Sequence, residues 1–296
     1  MWRKTRMKSL SHPQVDNIAL WERIVSRKRQ PAKEILQSIR DKVKDRYGFY
    51  ESHINALHEI QPLHATEWNG VKHELQSCYG QNIEFTKVRQ AIFDNLATTN
   101  QTKCPYCMIN RPNTLDHYFD KNEYPEFSVY VPNLVPCCSE CNSQKGTYLF
   151  DGQGKREYIH FYHDTIPEKQ FLFVRYSFSD PEGIPVIDVR LRLEPDDGIS
   201  PLIQTHFCKL SLLEKYKKAI KDNTAPIIEE IQMYLQNGLS MITIRELLQI
   251  QHNARVKSFG NNYWESCVYE GILNSPGFLD KIAKESVEYS SKEHVI

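Results

Sequence analysis

The sequence predicts an α+β chain that is mainly helical, with a central cysteine-stapled strand–strand–helix module followed by a β-hairpin or small sheet. Three observations carry this. Apolar residues recur at intervals of three and four before residue 100 and again after residue 205. Between Cys104 and Lys145 that periodicity is lost, and Pro, Asn and Cys accumulate. Between Phe171 and Leu193 apolar and polar residues alternate instead.

The helical elements come first. Ile18, Leu20, Trp21, Ile24 and Val25 make one apolar stripe. Ile35, Leu36, Ile39, Val43 and Tyr47 make a second, with Lys and Arg between them. Pro31 suits the first turn of that helix, where a missing N–H costs nothing, and Gly48 suits its end. A further helix is expected around Phe85–Leu96, and the polar stretch Thr98–Lys103 is a natural boundary. Past the central module, FLFVRYSF (Phe171–Phe178) and IPVIDVRLRL (Ile184–Leu193) read as strands, with Asp180–Gly183 as turn chemistry between them. Helix is expected again from Thr205, over Leu210–Asp222, Ala225–Gln236 and Thr243–Phe259, with a polar, frayed tail beyond Ala283. The organisation expected is thus a basic helical region over 1–100, the module over 101–165, and a hairpin plus helices over 166–296.

Composition bounds the function. The 296 residues are 40% hydrophobic, 25% charged and 11% aromatic, with zero net charge, which is a globular rather than a disordered chain. No apolar run is long enough to cross a bilayer, and no apolar core follows the basic start MWRKTRMKSLSH, so a cytoplasmic protein with no membrane partner is expected. Charge is unevenly placed: residues 1–50 hold thirteen Lys and Arg against five acids, a local excess of +8. That excess favours an anionic partner, or forms a solvated helical face.

Eight cysteines in a reducing compartment are not read as disulfides. Cys104 and Cys107 form one C-x-x-C, and Cys138 and Cys141 form another. A two-residue gap lets both thiolates of a knuckle meet one tetrahedral Zn²⁺, and two knuckles complete a closed, structural site. Cys137 is an alternative to Cys138 in a C-x-x-x-C register. Cys78, Cys208 and Cys267, with Cys137 if Cys138 is the ligand, read as ordinary buried thiols.

Inside this frame lie Leu115-Asp116-His117, Asn133-Leu134-Val135-Pro136 and Ser139–Lys145, read as strand, strand and short helix around an aromatic loop. Taken alone, Asp116 is a turn acceptor, His117 a core histidine, Asn142 a helix cap and Lys145 a solvated cation. The run C-x-x-C, L-D-H-Y, N-L-V-P-x-C-x-x-C-N-x-x-K from Cys104 to Lys145 closely resembles the HNH endonucleases, in the branch with two zinc knuckles and a ββα-metal fold. One anchor departs: Asp120 stands where that pattern has proline, and a changed loop shape is expected there.

The resemblance implies roles by position. Asp116 and Asn142 would ligate a catalytic Mg²⁺ or Mn²⁺. His117 would be the general base. Asn133 would tie the loop to the second strand, and Lys145 could neutralise a phosphate. Products would carry a 5′-phosphate and a 3′-hydroxyl. The chemistry asks for such a set in its own right. Histidine titrates near neutrality and can take a proton from water. A carboxylate and an amide oxygen make a hard shell for a small divalent cation. His160 and His163 read as structural or DNA-contacting. The function expected is an endonuclease acting on DNA, duplex rather than single-stranded, with little sequence specificity, held in check by a regulatory protein and serving as a phage-defence effector. The alternatives are a zinc-dependent nucleic-acid-binding module without catalysis and an RNA-cleaving toxin.

Overall fold

The computed structural model describes residues 10–80, 82–178, 185–195 and 197–293, with side chains to Ser286. The chain is mainly helical, with two antiparallel two-stranded sheets among the described residues. No described helix is long and apolar enough to cross a membrane. The described residues fall into two compact units. One, the cysteine unit, takes 10–165 and 201–210; the other, the hairpin unit, takes 166–200 and 211–293. The basic helical segment and the cysteine segment therefore share one unit, and a later helix returns to it.

The cysteine unit begins with α1 (Asn17–Ser26), where Asp16 caps the Ala19 N–H at 2.9 Å. Its stripe Leu20, Trp21, Ile24 and Val25 is buried. The single helix expected from Pro31 to Gly48 is two, α2 (Ala32–Ser38) and α3 (Arg40–Ser52), broken at Ile39. Gly48 does not stop α3, because Tyr47 and Tyr50 on either side of it are buried against the aromatic loop and carry the helix through to Ser52. Short helices α4 (Lys72–Gln76), α5 (Ile83–Asp94) and α6 (Thr98–Thr102) follow, the last where a boundary was expected.

Strands β1 (Thr114–His117) and β2 (Leu134–Cys137) pair antiparallel, with Asp116 opposite Val135 and His117 opposite Leu134. Helix α7 (Ser139–Lys145) follows directly and ends at Gly146, whose φ of 58° is the left-handed conformation that favours glycine. The loop between the strands is packed rather than loose. Phe119, Tyr124, Phe127 and Tyr130 are buried, and the rings of Tyr130 and Phe127 lie 4.3 and 5.3 Å from Tyr47 and Tyr50 of α3. Each such ring contributes about 1.5–3 kcal/mol on burial, which is how a loop without regular structure stays ordered. Helix α8 (Ser200–Lys209) closes this unit with His206 buried, and it leaves Cys208 exposed, against the expectation of a buried thiol.

In the hairpin unit, β3 (Leu172–Phe178) pairs with β4 (Pro185–Leu191); the expected turn at Asp180–Gly183 lies outside the described residues. The two helices expected over 210–236 are one, α9 (Leu212–Gln236), continuous through Pro226 because Tyr216, Ile220, Thr224, Ile227 and Ile231 keep one buried face. Helices α10 (Met241–Phe259), α11 (Trp264–Asn274) and α12 (Phe278–Glu293) complete it, so the tail expected to fray continues in α12.

Gly271 brings α11 against β3: a Cβ there would stand 2.7 Å from the carbonyl oxygen of Val174. The backbone cannot yield as a side chain would. Gly271→Ala is expected to destabilise the hairpin unit by roughly 1–3 kcal/mol, read as a lower urea midpoint. An unchanged midpoint would mean the helix shifts freely.

Candidate active site

The metal frame is local in origin. Each C-x-x-C places two thiols on one turn, and Met108, after Cys107, takes the left-handed conformation (φ 53°) that closes the first knuckle. The pairing of β1 with β2 then brings the second knuckle, at the start of α7, to the first. The Sγ atoms of Cys104, Cys107, Cys138 and Cys141 all lie within 4.8 Å of one another, and all four residues are buried. A tetrahedral zinc with Zn–S near 2.3 Å spaces its sulfurs by about 3.8 Å. The Cys107 and Cys138 sulfurs stand 3.9 Å apart, so the donor set fits zinc. Backbone N–H groups of Cys138 and Cys141 donate to Sγ of Cys104 and Cys138 at 3.2 and 3.5 Å, an arrangement that stabilises thiolates. Cys137 is outside the cluster: it belongs to the strand ladder opposite Thr114, and burial pushes its thiol up.

Around this frame the expected site residues gather on one module. Asp116 is 2% exposed; its Oδ2 accepts from the Tyr106 hydroxyl at 2.7 Å and its Oδ1 from the Lys145 ammonium at 3.1 Å. Lys145 also donates to the backbone oxygen of His117 at 3.1 Å, and its side chain is fully buried. It is thus an internal partner of Asp116, not a cation facing solvent. Thr114 and Asp116 share one face of β1 by the two-residue period. The Asn142 Nδ2 group donates to Thr114 Oγ1 at 3.4 Å, which sets the Asn142 amide over that face with its oxygen turned away from Thr114. Asp116 and the Thr114 that Asn142 bonds thus lie on the same face of β1, the carboxylate held by Tyr106 and Lys145.

His117 points from the other face. Its Nε2 lies 2.9 Å from the Ser128 carbonyl oxygen, which can only accept, so Nε2 carries the proton and Nδ1 keeps its lone pair. The edge of the Tyr79 ring packs on the imidazole, with centroids 4.3 Å apart. Burial lowers the His117 pKa to about 3, opposed by the Ser128 bond and reinforced by Lys121 and Lys145. Asn133, fully buried, accepts from the Phe119 N–H at 2.8 Å and donates to the Phe119 and Phe127 carbonyls at 3.0 and 3.3 Å. It thereby holds the loop that presents the Ser128 carbonyl. Asp120, in place of proline, turns the chain by hydrogen bonds: its carboxylate accepts from the Asn122 N–H at 3.0 Å, and its carbonyl from the Tyr124 N–H at 2.8 Å.

Two groups of residues read differently in the fold. Arg3, Lys4, Arg6 and Lys8 lie outside the described residues. Of the other cations before residue 50, Arg23 and Arg27 reach Glu84, Lys28 donates to Ser77, Arg40 reaches Glu22, Lys42 Glu67 and Arg46 Glu126. Four of these cations are therefore met by three acids distant in sequence, Glu84, Glu67 and Glu126. His160 is structural: Nδ1 accepts from the Tyr162 N–H, and Nε2 bonds the Tyr50 hydroxyl at 2.9 Å. Tyr79 and Lys121, which adjoin His117, belong to no motif and gave no signal in the sequence.

Burial holds His160 well below its usual pKa, and His163 and His206 at about 4. Unfolded, each titrates near 6.5, so between pH 6.5 and about 4 the unfolded chain binds more protons. The stability they contribute is complete above pH 6.5 and is lost as pH falls through that window. The urea midpoint of the cysteine unit is expected to drop between pH 7.5 and 5; a flat midpoint would contradict buried neutral histidines.

The chain is similar to protein ea31 of Escherichia phage lambda, at 24% identity over 235 residues, covering 75% of this chain and 79% of that protein. No family model matches the chain, and no solved structure matches it.

Proposed function

We propose that this chain is a metal-dependent HNH endonuclease that hydrolyses phosphodiester bonds in DNA, with duplex as substrate and little sequence specificity. The observation that carries the reading is His117, held by Nε2 on the Ser128 carbonyl with Nδ1 left as a base, next in strand to Asp116, with Asn142 bonded to Thr114 on the Asp116 face of that strand. Zn²⁺ on Cys104, Cys107, Cys138 and Cys141 is structural, since four thiolates leave no open position. Asp116 and Asn142 would hold a Mg²⁺ or Mn²⁺ ion, which would supply Lewis-acid chemistry to the reaction.

The chain's own residues do the rest. His117 Nδ1 takes the proton of the attacking water, and the Ser128 carbonyl, already bonded to Nε2–H, stabilises the imidazolium that forms. Tyr106 and Lys145 fix the Asp116 carboxylate. Asn133 fixes the Ser128 loop. A non-specific nuclease harms its host unless restrained, and we place the chain as a phage-defence effector held by a protein partner; similarity to a phage-encoded protein is consistent with that setting.

A second reading has its own support. Both oxygens of Asp116 are engaged in a buried hydrogen bond and ion pair, as a zinc-dependent binding module without catalysis would have them. Nicking of supercoiled plasmid by the purified chain in Mg²⁺ or Mn²⁺, abolished by EDTA, is the expected result. Cleavage of RNA but not DNA would make it an RNA-cleaving toxin. Binding without cleavage of either would favour the module.

A further inference from the structure

We propose that Lys121 is the substrate-binding cation beside His117: its ammonium engages a non-bridging oxygen of the duplex DNA phosphate, the part the sequence assigned to Lys145. The idea rests on the nuclease reading for its chemistry, but its geometry is independent of any reaction.

Lys145 cannot reach a phosphate without breaking its bonds to Asp116 and to the His117 carbonyl, with no part of its side chain exposed. Lys121 is its opposite. It is half-buried, its ammonium over the Tyr79 ring, and no carboxylate is shown paired with it among the described residues. The ammonium stands 5.1 Å from the centre of the Tyr79 ring, and that same ring touches the His117 imidazole. One aromatic ring thus lies against both the Lys121 ammonium and the candidate base, so that cation and base share one neighbour.

The placement is built. Two devices hold the backbone of the turn: the Asp120 carboxylate takes the Asn122 N–H at 3.0 Å, and the Gln76 side-chain amide donates to the Lys121 carbonyl and the Asn122 Oδ1, each at 3.1 Å. Gln76 ends α4, three residues before Tyr79. One short segment therefore grips the Lys121 backbone, supports its ammonium and packs on His117. The departure from proline at position 120 acquires a purpose here, because an aspartate turn can present the next side chain with its backbone pinned.

The test is binding of a fluorescent duplex DNA by the zinc-loaded full chain with no added Mg²⁺ or Mn²⁺, read by anisotropy over a range of salt. Lys121→Gln is expected to weaken binding several-fold and to lower the slope of log affinity against log salt by about 0.9, the value for one phosphate contact. Lys121→Arg should restore the slope. Lys145→Gln, whatever it costs in thermal stability, should leave the slope of its folded fraction unchanged, as should Lys217→Gln on α9. A Lys121→Gln slope equal to that of the parent overturns the proposal, as does a parent that does not bind the duplex, or a Lys145→Gln that loses the same slope. In Mg²⁺, Lys121→Gln should raise KM. Should the parent bind but cleave nothing, the nuclease reading fails while the Lys121 slope still decides the contact.

Discussion

Cys138→Ser is expected to release zinc and unfold the two knuckles of the segment from Cys104 to Gly146, the largest effect of any single change considered. Structural zinc in small motifs contributes on the order of 10–16 kcal/mol near pH 7, as much as the whole folding free energy of a typical domain. Its strands are four residues each and its helix seven, so the two knuckles at its ends depend on the metal, while the aromatic loop between the strands keeps its own packing against α3. The neighbouring Cys137→Ala is the control, because that thiol lies in the ladder outside the four-sulfur cluster. Zinc content and calorimetry on both variants decide the matter. Loss of one equivalent of zinc with collapse of the transition in Cys138→Ser, and retention in Cys137→Ala, is the expected pair. Zinc lost from Cys137→Ala and kept in Cys138→Ser would reverse the ligand assignment. A protein whose melting is indifferent to zinc chelators would remove the metal from the account of stability.

His117→Ala is expected to lower the cleavage rate by roughly 10²- to 10⁴-fold, the usual worth of a positioned base, with DNA affinity and melting temperature little changed. The imidazole is held by the Ser128 carbonyl and the Tyr79 ring, and its removal leaves the Asn133 clasp on the loop intact. The pH dependence adds a sharper signature. With the His117 pKa lowered to about 3, the neutral, basic form predominates above that pH. The rate should therefore stay level from pH 8 down to pH 6, where a histidine titrating near 6.5 would be about three-quarters protonated. A rate that halves near pH 6.5 would show an exposed imidazole in the working state. Nicking that survives His117→Ala would place the base elsewhere.

How much was legible follows from how local each signal is. Both C-x-x-C knuckles were readable because two thiols on one turn are near neighbours whatever the rest of the chain does. The choice between Cys137 and Cys138 was not, since it depends on the register that pairs Thr114 with Cys137. Helix α11 escaped periodicity because it is buried almost all round, through Trp264, Cys267, Val268, Tyr269, Gly271 and Ile272, and a helix without a polar face has no stripe to read. The break at Ile39 lies inside a run whose apolar spacing continues across it, so spacing alone joins α2 to α3.

The sequence by itself determined the chemistry available: four thiols at metal spacing, an Asp-His pair, an Asn and a Lys on one short helix, and a basic amino-terminal region. These are properties of residue type and short separation, which the chain carries into any fold. Only the tertiary structure decided how that chemistry is disposed. It turned Lys145 inward to Asp116, tied Arg27 to Glu84 and Arg46 to Glu126, and set Tyr79 and Lys121 beside His117. Each of these is a contact between residues far apart in the chain or on opposite sides of a loop. Whether a cation meets a carboxylate or water is set by packing, and packing is the one property no short window of sequence contains.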